Sequence, residues 1–243
     1  MENSKAKITY LFHSGYAVET KQHFLIFDYY QPVTGKNPSI RNGIITTDML
    51  RNKSHICVFV SHCHADHFDP VIWRWGKSNS SISYILSSDI SIPPGQPACH
   101  SLSAYEELKV DSLSIKTFGS TDQGISFLVQ ADGLSIFHAG DLNWWHWKGE
   151  SKEEQSYAEA IFKAEMEKLS GHSIDIAFFP VDRRLEEFYS GGAEYFAEKM
   201  QPKILFPMHF GKDLGATKAF AQKTAALPFS TVEITHKGQE FFF

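Results

Sequence analysis

Apolar positions in the first half of the chain gather in short runs separated by glycine or polar breaks. Lys7 to Phe12, Tyr16 to Glu19 and His23 to Phe27 have the length and side-chain type of strands. Ile56 to Val60 is apolar without alternation, which predicts a strand covered on both faces. Further strands are predicted over Ile82 to Leu86, Leu113 to Phe118, Ile125 to Val129 and Leu134 to Phe137. Ala131-Asp132-Gly133 supplies a hairpin turn between the last two. Pro70 to Trp75 can open a short helix, with Asp69 as its N-cap.

The second half changes period. Ser151 to Leu169, rich in Glu, Ala and Lys and followed by Gly171, predicts a helix. Tyr157, Ile161, Ala164 and Lys168 or Leu169 fall on one face, read as its apolar stripe. Ile174 to Phe179 predicts a strand stopped by Pro180. Ala193 to Met200 predicts a helix, Ile204 to Phe206 a strand and Ala216 to Ala226 a helix. Thr231 to Thr235 and Glu240 to Phe243 close the chain as strands. Strands first, then alternating helices and strands, predict an α/β sandwich with helices outside two sheets. No linker or repeat interrupts the pattern, so residues 1–243 are expected to form one domain.

Composition narrows the function classes. The chain has 243 residues, 42% hydrophobic and 21% charged, with a formal net charge of −5. That balance argues against binding a nucleic acid, which needs clustered Lys and Arg, and leaves a small-molecule substrate as the expected partner. No stretch approaches the roughly 18 apolar residues of a membrane span, and the opening MENSKAKITYLF has no apolar segment of leader length. Cys57, Cys63 and Cys99 are odd in number and unpatterned, so a reducing cytoplasm is the expected compartment.

The chemistry concentrates after the run ending at Val60. Ser61 to Pro70 reads SHCHADHFDP, with His62, His64, Asp66 and His67 spaced as H-x-H-x-D-H. In extended chain, alternate residues point the same way, so His62 and His64 can hold one ion together. A turn then lets Asp66 and His67 face a second. Imidazole and carboxylate donors suit zinc, and also other first-row metals. Cys63 points away from its neighbours in such a segment and is read as packed rather than ligating.

HCHADH resembles the H-x-H-x-D-H signature of the metallo-β-lactamase superfamily of metal-dependent hydrolases. Three further stretches extend the resemblance over most of the chain. His13-Ser14-Gly15-Tyr16 and Leu25-Ile26-Phe27-Asp28 look like the opening hairpin and its aspartate. His138-Ala139-Gly140-Asp141 looks like the strand end that supplies a bridging Asp, and Pro207-Met208-His209-Phe210-Gly211 like the motif that supplies the last His. The resemblance implies a four-layer αββα sandwich with one or two ions at one edge, zinc first and manganese or iron as alternatives. By this likeness His62 and His64 would bind the first ion, Asp66, His67 and His209 the second, and Asp141 would bridge them. Asp66 would also accept a proton from the attacking water, and Asp28 would orient a histidine from behind. The expected activity is hydrolysis of an ester, lactone, amide or phosphodiester, with a phosphodiesterase or nuclease as the alternative. The opening HSGY and the HFDP ending look closest to the branch of sugar-phosphate lactonases and N-acyl-phospholipid phosphodiesterases. In a diiron oxidoreductase branch a Glu stands in place of His64, so the His here favours hydrolysis.

One position departs from the family's pattern. Relatives with two metals carry a His in the loop after the strand at Leu113 to Phe118, where this chain has Gly119 to Gly124 without one. Three explanations compete: Asp122 replaces it, His138 or His146 fills in, or water or a single ion suffices. This gap also leaves room for a non-catalytic metal- or ligand-binding protein that keeps the fold. Around the site, Trp144 and Trp145 are candidates for the substrate wall, His146 for a pocket polar group, and Arg183 for an anion contact.

Overall fold

A computed structural model describes residues 4–32 and 37–243. Among the described residues, fourteen strands make two seven-stranded sheets. The first sheet uses β1 (Lys7–Phe12), β2 (Gly15–Glu19), β3 (Phe24–Phe27), β4 (Ile56–Val60), β5 (Ile82–Ser87) and β6 (Cys99–Leu102), with β14 (Glu240–Phe242) added beside β1. The second uses β7 (Glu107–Val110), β8 (Leu113–Phe118), β9 (Ser126–Ala131), β10 (Leu134–His138), β11 (Ile176–Pro180), β12 (Ile204–Met208) and β13 (Ser230–Thr231), in that spatial order. The first sheet is antiparallel from β14 through β1 and β2 to β3 and parallel from β3 to β6, and the second is antiparallel from β7 to β10 and parallel from β10 to β13.

Period-two alternation in the first sheet separates two apolar layers. Tyr10, Tyr16, Leu25, Phe27, Cys57 and Phe59 join the cluster shared with the second sheet. Leu11, Ala17, Phe24, Ile26, Ile56 and Val58 join a separate one with Ile72, Trp73 and Trp75 of helix α2 (Ile72–Ser78) and Leu50 of the short α1 (Thr47–Leu50). Between the sheets, Phe27 stacks on Phe59 at 4.6 Å, and Tyr16 packs on Phe178 at 4.4 Å. On the far side of the second sheet Phe196 stacks on Phe137 and Phe179, which seats α4 (Gly191–Met200). Helix α3 (Lys152–Lys168) places Phe162 and Met166 in the same buried cluster, and α5 (Leu214–Thr224) places Ala216 and Phe220 there. The result is the expected αββα sandwich. Among the described residues, no helix is long and apolar enough to cross a membrane.

The elements differ from the sequence pattern at several points. Strands β6 and β7 were not anticipated: their exposed, polar positions give no apolar run, and pairing to β5 and β8 forms them. Pro180 does not stop β11 but ends it inside the ladder, opposite Met208. The helix at Pro70 begins later, at Ile72, and Asp69 caps the turn before it by accepting from Val71 N at 2.9 Å. Only Thr231 of the Thr231 to Thr235 segment is strand. The stripe assigned to α3 is also rotated. Tyr157 is 68% exposed and Ala164 is exposed, whereas Phe162, Met166 and Leu169 make the buried face. Helical spacing fits either set of residues, and the sheet selects the bulkier one.

Candidate metal centre

Parallel pairing explains why residues distant in sequence meet. Asp28 and His62 lie just past the C-terminal ends of neighbouring parallel strands β3 and β4. Asp141, Asp182 and His209 lie just past β10, β11 and β12, also parallel neighbours. His13 sits at the β1–β2 turn. Both sheets therefore present their ends at one edge of the sandwich, where a turn after β4 delivers His64, Asp66 and His67. His64 O accepts from His67 N and Phe68 N, each at 3.0 Å, and closes that turn.

Two groups of donors converge there. His62, His64 and Asp141 form one, and His13, Asp66, His67 and His209 the other; within each, the donor atoms lie within 4.8 Å of one another. His62 Nε2 lies 3.3 Å from Asp141 Oδ2, while His67 Nε2 and His209 Nε2 lie 3.1 and 3.4 Å from Asp141 Oδ1. Ligands held at about 2.0–2.1 Å around a tetrahedral ion stand about 3.3 Å apart, so this spacing fits an ion between them. His62 Nε2, His67 Nε2 and Asp141 Oδ1 are buried without any hydrogen-bond partner. Buried polar atoms are rarely left so unless something else satisfies them. The residues present fit a first-row metal ion at either group, with Asp141 reaching both.

The donors are oriented from behind. Asp28, fully buried, accepts from His67 Nδ1 at 2.7 Å, from Ser61 N at 2.8 Å and from Ser61 Oγ at 2.6 Å. Ser61 Oγ also lies 2.9 Å from His62 Nδ1. Asp182 accepts from His209 Nδ1 at 3.0 Å and pairs with the Arg184 guanidinium, Nε to Oδ2 at 2.8 Å. Each outer contact leaves Nε2 of the histidine facing the centre. Burial opposes charge on Asp141, but the charge of His67 and the close approach of the His62 and His209 imidazoles hold its carboxyl well below the usual range. His13 beside Asp66 likewise holds that carboxyl well below its ordinary value.

A cleft of about 670 Å³ opens over the centre, lined by His64, Asp66, Asp141 and His209 on one side and Trp145, Trp147, Tyr157, Ile161 and Arg184 on the other. The exposed stripe of α3 is thus a cleft wall. Asp122 is exposed and lines the cleft, but it does not join either donor group. His138 does not fill the gap: its Nε2 is 2.9 Å from Ser14 O, its Nδ1 accepts from Gly140 N, and its ring stacks on Phe27. Nor does His146, whose ring packs on Phe188 at 3.8 Å. Of the tryptophans, Trp145 faces the cleft while Trp144 packs behind it on Phe162. Arg183 is turned away from the cleft, to Gly215 O and Asp213, and Arg184 takes the place assigned to it. Cys63 is exposed rather than packed, because the chain turns instead of staying extended.

Sequence reasoning missed two contributors. Neither Ser61 nor Asp182 stands out in the sequence by type or spacing. Asp182 stands one strand over from His209 at the same sheet edge, a position that strand order makes legible once the pairing is known.

Two facing mixed sheets with clustered histidines and aspartates at one edge define the metallo-β-lactamase class of proteins. The chain belongs to that superfamily: residues 7–155 match the family described as beta-lactamase superfamily domain. It is 25% identical over 234 residues to a UPF0173 metal-dependent hydrolase of Opitutus terrae, covering 85% of this chain and 86% of the relative. The structure of Igni18, a metallo hydrolase from Ignicoccus hospitalis, superposes with a TM-score of 0.67 at 18% identity over 98% of both chains. The metallo-beta-lactamase fold protein YhfI of Bacillus subtilis gives a TM-score of 0.62 at 11% identity, over 99% of this chain and 100% of that one.

Proposed function

We propose that the chain is a metal-dependent hydrolase of a small substrate. One observation carries this reading: the buried, unpartnered Nε2 atoms of His62 and His67 stand 3.3 and 3.1 Å from Asp141 at the floor of an open cleft. His62, His64 and Asp141 would hold one ion, and Asp66, His67, His209 and Asp141 a second. Zinc suits the donor set best, and manganese and iron share it. A bound ion there supplies Lewis acidity, lowering the pKa of a coordinated water and polarising the scissile group.

The chain's own residues do the rest. Asp66, half-buried at the cleft floor with its carboxyl held ionised, accepts a proton from the attacking water. Trp145 and Trp147, parallel at 6.0 Å, give the substrate a flat wall. Arg184 faces the cleft beside them and suits an anionic group on an ester, lactone, amide or phosphodiester. We read the compartment as cytoplasmic, in keeping with three free cysteines, and residues 1–243 as one domain.

The test is metal analysis of the purified protein followed by turnover of bis-p-nitrophenyl phosphate and a panel of lactones and esters. Turnover that follows metal loading and is lost in Asp66→Ala supports the reading. A metal-loaded chain that turns over no member of the panel, with Asp66→Ala indistinguishable from it, sinks hydrolysis and leaves a binding protein.

A further inference from the structure

His13 stands at the tip of the β1–β2 hairpin with φ 54°, a left-handed conformation uncommon for a residue with a Cβ. Its main chain and its ring both reach the end of β12. His13 O accepts from His209 N, and His13 Nδ1 accepts from Gly211 N, each at 3.2 Å. An imidazole nitrogen that accepts a hydrogen bond is unprotonated, so in the neutral ring Nε2 carries the hydrogen. That Nε2 is buried, has no aligned hydrogen-bond partner and lies 3.3 Å from Asp66 Oδ2. The ring is wedged between the site's histidines, 4.3 Å from His209 and 5.5 Å from His67. His67 is oriented by Asp28, His209 by Asp182 and His62 by Ser61. For Asp66, the group in that place is His13.

We propose that His13 is a positioning residue that acts through Asp66. Its Nε2–H, turned onto Asp66 Oδ2 3.3 Å away, fixes that carboxylate beside His67 and His209, and so sets the affinity of that position for an ion without ligating the ion itself. The inference rests on the reading of the cluster as a metal centre. The four donors within 4.8 Å of one another are therefore not four ligands, because Nε2 of His13 can ligate only if it gives up its hydrogen.

Two isosteres separate the roles. In His13→Asn the amide oxygen stands near Nδ1 and can still accept from Gly211 N, and Asn tolerates the left-handed backbone, but the donor toward Asp66 is gone. In His13→Gln the amide nitrogen stands near Nε2 and can still donate. Chelator-stripped wild type and both variants would be titrated with Co(II), reading affinity and stoichiometry by calorimetry and the ligand field by visible absorption. Thermal unfolding of the metal-free proteins reports the fold. The expected result is a loss of about 10–100-fold in affinity at one position in His13→Asn, with stoichiometry kept at saturation. His13→Gln should recover most of that loss. His13→Asn binding like wild type would overturn the proposal, as would His13→Gln losing one ion per chain with an altered spectrum, which would make His13 a ligand. A wild-type chain that takes up no Co(II) would instead overturn the metal-centre reading, and this proposal with it.

Discussion

Asp28→Asn is the sharpest perturbation of the centre. The substitution keeps volume and shape at a fully buried position but exchanges an acceptor for a donor. Asp28 Oδ1 accepts from Ser61 N at 2.8 Å, so the amide oxygen must take that place and the NH₂ falls where Oδ2 stood. There it meets His67 Nδ1, 2.7 Å away, which in the wild type donates. His67 Nδ1 must then accept, and its hydrogen moves to Nε2, the nitrogen 3.1 Å from Asp141 Oδ1 that faces the donor group. The wrong tautomer blocks an ion without moving a heavy atom, the logic known from aspartate-to-asparagine changes behind catalytic histidines. Loss of an outer carboxylate costs about 10–100-fold in metal affinity, or about 1.4–2.7 kcal/mol. Competition with a chromophoric chelator measures that affinity directly, and a thermal melt of the metal-free variant checks that it is folded. Ser61→Ala leaves the Asp28–His67 bond in place and is expected to lose less. Wild-type affinity and stoichiometry in Asp28→Asn would refute the tautomer argument.

Further outcomes follow from the same structure. Burial works against charge on His67, but Asp141 and Asp28 on its two nitrogens outweigh it and push its pKa up to about 10. The folded value lies above the ordinary one of about 6.5, so this group's stabilisation of the metal-free chain is fully present below about pH 6.5 and lost as pH climbs through about 10. An ion must displace that proton, so metal affinity should rise by about tenfold per pH unit between roughly pH 7 and 9; a flat profile in calorimetry would contradict the pairing. Gly124→Ala should destabilise by about 2 kcal/mol or more in chemical denaturation, because at φ 77° its added Cβ would lie 2.0 Å from Ser61 O and 2.5 Å from His62 Cβ. Phe162→Ala should cost about 3–5 kcal/mol as a cavity in the buried cluster. Tyr157→Ala on the opposite face of α3 should leave the melt within about 0.5 kcal/mol and change substrate affinity instead; equal losses would put the buried stripe back where helical spacing first placed it.

Local pattern determined much of this protein. The continuous apolar run Ile56 to Val60 had to be a strand buried on both faces, and the crowding of His62, His64, Asp66 and His67 behind it pointed to the strand end where the two donor groups meet. Asp132 and Gly133, both with positive φ, make the two-residue turn that an Asp-Gly pair favours. What stayed illegible depended on partners. β6 and β7 exist because neighbouring strands offer them hydrogen bonds, and their own residues give no signal. Two faces of α3 had comparable apolar content, and only the sheet surface decided that Phe162 and Met166 go in while Tyr157 and Ile161 border the cleft. The arginine that faces the centre is Arg184, not Arg183, because Asp182 grips its guanidinium from the end of β11. The tautomers of His13, His67 and His209 follow from Gly211, Asp28 and Asp182, groups up to 198 residues away in sequence. Sequence by itself picked out metal-capable side chains, since donor chemistry belongs to each side chain alone. Tertiary structure decided which nitrogen of each donor faces the centre, because a hydrogen's position is set by whatever stands on the other side of the ring.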